Sequence, residues 1–130
     1  MNCRLKPSNI KNAGVGVFSI STIEKGVDPF PGCDTHLIPL SIKDYDNMTC
    51  SEQKMIRDFC YISSGYWRIP KDFNKLDISW YVNSSENPNL NFDIETGKYT
   101  TIRDISEGEE LTWGLLSVQS WPKLHMVSNI

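Results

Sequence analysis

Three parts of this chain have residue types and spacing that could do chemistry: two glycines one residue apart, a run of amides and hydroxyls, and two adjacent carboxylates. The run is VNSSENPN, residues 82–89, directly after the aromatic pair Trp80-Tyr81. Asn, Ser and Pro are turn formers, each for its own backbone reason, so a surface turn is the simplest account of it. The glycines, Gly14 and Gly16 in GVGVF, lack the third glycine and the following helix of a dinucleotide fingerprint, and alone they mark a tight turn. Glu109 and Glu110 resemble a paired-carboxylate centre. Neighbours on a strand point to opposite faces, however, which favours a solvated turn.

Metal chemistry has little support. Cys3, Cys33, Cys50 and Cys60 contain no C-x-x-C pair, and only His36 and His125 could complete a zinc site, so no metal is expected. Free thiols are the expected state.

Composition narrows the function classes. At 130 residues the chain fits one domain with one core. Hydrophobic residues at 39% and charged residues at 22% are near globular averages, which disfavours disorder and membrane spans. Thirteen Lys and Arg against 16 Asp and Glu, with no basic stripe, argue against direct nucleic-acid binding. The amino-terminal residues lack an apolar signal core, so an intracellular protein without a membrane anchor is expected. Oligomeric state is left open.

The elements that must position these residues are mostly strands. GVGVFSIS followed by TIEKGVDPF reads as two short strands joined by a turn, and apolar steps of three and four between Ser41 and Ser63 read as one or two helices. Thr49 with Glu52 forms a capping-box pattern, starting the better helix near Cys50 and ending it before Gly65. GYWRIP, DISWYV, LNFDI and KYTTIRDI are rich in β-formers, with Glu95-Thr96-Gly97-Lys98 as a hairpin turn. SEGEELTW turns into a last short strand. The sum is an α+β domain, mostly β.

Taken in order, GVGVF at 14–18, NSSENPN at 83–89 and RDISEGEELTW at 103–113 resemble the SET domain of protein-lysine methyltransferases. There a G-x-G strand entry, an N-H-S-x-x-P-N knot and a G-E-E-L-T-x-D-Y segment follow one another. The resemblance covers residues 10–115 and implies short curled sheets, a helical insertion and a carboxy-terminal pseudoknot. It makes 1–130 a single SET-like domain, with 116–130 a tail packing on the pocket.

The implied activity is methyl transfer from S-adenosylmethionine to a lysine of a protein or peptide. The resemblance assigns cofactor contacts to Gly14, Val15, Gly16, Asn83, Ser84 and the tail residue Trp121. It assigns substrate-channel walls to Trp80, Trp113 and Leu115, with Tyr66 and Trp67 as further aromatic candidates. Two departures matter: Ser84 replaces the family's His, and Leu115 replaces its tyrosine. Tyr81 and Tyr66 are the candidates for the missing hydroxyl. A SET-fold module that binds cofactor or peptide without efficient transfer is the second reading, and a plain β interaction module the third.

Overall fold

A computed structural model describes residues 2–33 and 37–114. Strands β1 (Cys3–Pro7), β2 (Val15–Ser19), β6 (Asn83–Ser84), β7 (Leu90–Asp93), β8 (Lys98–Thr101) and β9 (Glu110–Trp113) form one sheet. A second sheet has β3 (Leu37–Ser41), β5 (Tyr66–Pro70) and β4 (Tyr61–Ser63) in that order. Helices α1 (Ile42–Asp46) and α2 (Cys50–Phe59) lie between β3 and β4 in the chain. The architecture is mostly β with a helical insertion, as the sequence predicts.

Local chemistry explains these elements. The capping box is present: Glu52 N–H donates to Thr49 Oγ1 at 3.2 Å, and Thr49 N–H to Glu52 Oε1 at 3.0 Å. Two orphan donors of α2 are thereby satisfied. The helix buries Ile56 against Cys60 and Trp67, and the Trp67 ring stacks on Tyr45 at 4.9 Å. The 90–103 hairpin forms in register Leu90↔Thr101 to Asp93↔Lys98, closed by Gly97 N–H on the Asp93 carbonyl.

Two expectations are corrected. Residues 21–33 form no second strand; they bridge Ile23 to Ile105 and meet the sheet at Thr101 of β8, which accepts from Gly26 N–H and donates its N–H to the Val27 carbonyl. DISWYV is not extended either. The Asp77 carboxylate accepts from Ser79 N–H and tightens Ile78–Tyr81 into a 3-10 turn, a cap that outweighs β-propensity. Strand β1 carried no sequence signal, because four of its five residues are exposed.

The last strand becomes the middle one. β9 runs antiparallel to β2 and parallel to both β6 and β7, so residues 83–90 and 110–113 interlock. The loop between β6 and β7 presses on Gly114: a Cβ there would lie 2.5 Å from the Ser85 carbonyl and 2.7 Å from Pro88 Cγ. Only glycine fits that crossing. Core residues Val17, Leu90, Ile105 and Leu111 are fully buried around it, each adding about 1.5–3 kcal/mol.

Candidate functional site

Beside this crossing lies a cleft of about 450 Å³, within the range of small-ligand sites. Its described walls are the loop 10–13, Val15 at the start of β2, Asp58-Phe59 at the end of α2, residues 80–84, and Trp113 of β9. Val15, Asn83 and Ser84 therefore share one cleft although 68 residues separate Val15 from Asn83. Trp80, Tyr81 and Trp113 line it too.

Asn83 does not bond its own turn. Its Nδ2 donates to the Val15 carbonyl at 2.9 Å and to Glu110 Oε2 at 3.4 Å. Both amide hydrogens are thus committed to protein acceptors, while Oδ1, with no donor among the described residues, is available to a ligand.

The backbone of Ser84 is equally suited to a ligand. Ser85 N–H donates to the Trp113 carbonyl at 2.6 Å, and β6 pairs with β9 in register Asn83↔Thr112 and Ser84↔Trp113. Successive N–H and C=O groups point to opposite edges of a strand, so those of Ser84 face away from β9. No described strand lies on that edge.

Glu110 is the hub behind the cleft. Nearly buried, its carboxylate accepts from Ser8 Oγ at 2.7 Å and Asn9 N–H at 2.9 Å besides Asn83. Glu109 points the other way, to Arg103 at 2.6 Å and to the Asn89 amide. Burial pushes the Glu109 carboxyl up, but Arg103, Ser106 N–H and Asn89 together hold it below the usual range. The two carboxylates do not form a pair.

The glycines divide. Gly14 is needed for its backbone, at φ +75° with open space around it. Gly16 is needed for its lack of a side chain: a Cβ would lie 2.3 Å from Glu110 Oε2 and 3.3 Å from Ser8 Cβ. What approaches Gly16 is this carboxylate, and the residue is absent from the cleft wall. Gly16→Ala should cost about 1–3 kcal/mol, the usual penalty of overpacking. Chemical denaturation checks it, and in a Glu110→Ala background the added cost should fall below about 0.5 kcal/mol.

Tyr66 is not brought to the cleft; it is half-exposed on β5 of the second sheet. Trp67 belongs to the second core. Leu115 and Trp121 lie outside the described residues. The loop 10–13 and the end of α2 were missed by sequence reasoning, and no residue pattern there signals a ligand.

The same arrangement of strands occurs in known structures. The chain superposes on a humanized mutant of the Chaetomium thermophilum Polycomb Repressive Complex 2 bound to an inhibitor, with TM-score 0.62, 20% identity and 96% of this chain covered. It also superposes on the methyltransferase domain of human PR domain-containing protein 2, with TM-score 0.56, 24% identity, 87% of this chain and 76% of that one. This is a SET-domain fold. A further SET neighbour is a Polycomb Repressive Complex 2 in an autoinhibited conformation bound to S-adenosylmethionine, at TM-score 0.60 and 20% identity, covering 88% of this chain. The SET fold here spans only 14 to 16% of the Polycomb chains. No protein-family model matches the sequence, and no curated protein matches it either.

Among the described residues no three His, Cys, Asp or Glu side chains gather as a metal site, and no helix is long and apolar enough to cross a membrane.

Proposed function

We propose that this SET domain binds S-adenosylmethionine in the cleft and transfers its methyl group to the amine of a protein lysine. The observation that carries the reading is the pairing, in one cleft, of an edge-strand backbone with an amino-acid-binding end. Ser84 N–H and C=O offer one donor and one acceptor, the pair an adenine edge requires. Asn83 Oδ1 suits an ammonium, and Lys11 is the one Lys or Arg among the described cleft residues, placed to meet a carboxylate. Recognition through the Ser84 backbone is indifferent to the exchange of His for Ser.

When bound, the sulfonium cofactor would supply an electrophilic methyl group, with its thioether as the leaving group, to a neutral amine whose surplus proton goes to water. The chain's own contribution is to orient and to exclude water. Phe59 and Tyr81, edge to face at 5.8 Å, with Trp80 and Trp113, make an apolar surround in which a cation is held by aromatic faces. A lysine of ordinary pKa, about 10.4, must lose its proton before attack, and a dry aromatic setting lowers that cost.

The test is thermal unfolding with S-adenosylhomocysteine, which stabilises the native state by mass action if the cleft binds it, followed by radiolabelled methyl transfer to histones and bulk protein. Lys11→Ala should weaken S-adenosylhomocysteine about tenfold but leave 5′-methylthioadenosine, which lacks the amino-acid end, within twofold. Equal losses for both would remove Lys11 from carboxylate recognition. Leu115, where the family has tyrosine, favours a second reading, a cofactor-binding module with little transfer. Stabilisation without any methylation would support it.

A further inference from the structure

Strand β1 lies at the edge of the larger sheet, and no described strand pairs with its outer side. The hydrogen-bond phase along it follows from its two ends. Ile20 N–H donates to the Asn2 carbonyl at 2.8 Å and Ser8 N–H to the Gly14 carbonyl at 2.8 Å, so in the antiparallel register with β2 the even residues bond inward. The odd residues therefore turn their backbone outward, leaving the Leu5 N–H and the Leu5 and Pro7 carbonyls on the open edge. Leu5 is 42% exposed, and so are its neighbours Arg4, Lys6 and Pro7 on the strand.

Backbone groups give such an edge its affinity, and side chains select what it takes. Arg4 and Lys6 stand on one face, opposite Phe18 and Gly16 of β2, with Lys6 Nζ 5.0 Å over the Phe18 ring. Neither cation forms an ion pair with a described residue. Leu5 stands between them on the other face. A second copy of the chain fits this edge badly. Antiparallel pairing of β1 with itself about Leu5 sets Arg4 of each chain against Lys6 of the other, and like charges directly opposed destabilise a strand pair. Residues 115–130 match it no better, for they include Lys123 and no Asp or Glu.

We propose that the β1 edge takes an extended acidic segment of a partner protein as an added antiparallel strand, with two carboxylates opposite Arg4 and Lys6 and an apolar residue between them opposite Leu5. Leu5 N–H donates to a partner carbonyl, and partner N–H groups donate to the Leu5 and Pro7 carbonyls. Pro7 has no N–H to leave unpaired, so the added strand ends there without cost. The same two cations that repel a second β1 attract the carboxylates, which makes the edge selective rather than merely open. Strand β1 is not part of the cleft wall, and the inference does not rest on the methyl-transfer reading.

The experiment is ¹⁵N NMR of the full chain titrated with the acetylated, amidated peptide VTEVETV and, in parallel, with its basic counterpart VTKVKTV. The acidic peptide should bind saturably, shift the β1 amides and slow hydrogen exchange at the Leu5 N–H. At low salt it should bind about tenfold tighter than the basic peptide, a preference that shrinks as added salt screens the exposed cations. Leu5→Pro removes the outward donor without touching a bond to β2, and should weaken the acidic peptide by about tenfold or more with the melting temperature nearly unchanged. The double exchange Arg4→Glu with Lys6→Glu should reverse the preference in favour of VTKVKTV, and it decides the matter if Leu5→Pro folds poorly. Equal binding of the two peptides, or shifts centred away from β1, would overturn the proposal. So would a Leu5 N–H already protected in the free chain: protection that grows with protein concentration would assign the edge to a second copy, and protection that does not would assign it to the chain itself. Absence of saturable binding would also overturn it, leaving Arg4 and Lys6 as charges that only guard the edge against aggregation.

Discussion

Asn89→Ala is expected to lower the stability of the domain by about 3 kcal/mol, the larger of the two fold effects foreseen. Asn89 is 1% exposed, and its amide takes the place of a strand at the crossing. Nδ2 donates to the Glu110 carbonyl at 2.8 Å and to Glu109 Oε2 at 3.1 Å, while Oδ1 accepts from Thr112 N–H at 2.8 Å. Its backbone does the same on both sides, N–H to the Thr112 carbonyl and C=O from Ile102 N–H. Alanine keeps the backbone bonds but leaves a buried N–H and a buried C=O of β9 without partners, at about 1–3 kcal/mol each, partly offset if water enters. Against a total of roughly 5–15 kcal/mol, the melting temperature should fall by on the order of 10 °C. Asn89→Asp should be no better, because it restores the acceptor but aims a carboxylate oxygen at the Glu110 carbonyl. Urea unfolding of both variants measures this; a loss below about 1 kcal/mol for alanine would mean that the amide adds nothing net.

That role explains what was legible beforehand. NSSENPN reads as turn residues, and their order relative to GVGVF and GEELTW carried the resemblance, because a crossing of two loops fixes local residue types in both. Helix α2 was legible because Thr49 and Glu52 satisfy each other within four residues. What failed to show was any interaction whose partners are far apart in sequence and unremarkable singly. Ser8 and Asn9 look like a polar loop, and only the folded chain shows them binding a carboxylate 102 and 101 residues away. Gly16 was assigned to cofactor approach; what lies against it is the Glu110 carboxylate. Tyr66 was assigned a catalytic role from its residue type, and register on β5 carries it elsewhere.

Asn83→Ala should divide its effect the other way, and with a larger change in ligand affinity than any other substitution proposed. Its loss to the free fold is one exposed bond to the Val15 carbonyl and a long one to Glu110, together about 1 kcal/mol, since the buried Glu110 carboxylate keeps its bonds from Ser8 and Asn9. Its loss to the ligand has two parts. An ammonium held by Oδ1 forfeits a charge-assisted bond of about 1.5–3 kcal/mol. The link from β6 to β2 also disappears, which frees Val15 and the Ser84 edge to drift from the geometry an aminoacyl nucleoside needs. Together these should weaken S-adenosylhomocysteine by about 100-fold, read by calorimetry at a temperature where the variant is fully folded. Asn89→Ala serves as the counterpart, six residues further on and equally an amide: measured under the same folded conditions it should bind within about threefold of the parent chain, its large cost being paid before ligand arrives. If instead Asn83→Ala keeps its affinity while losing several kcal/mol of stability, Asn83 is a brace between strands and the cleft binds its ligand elsewhere.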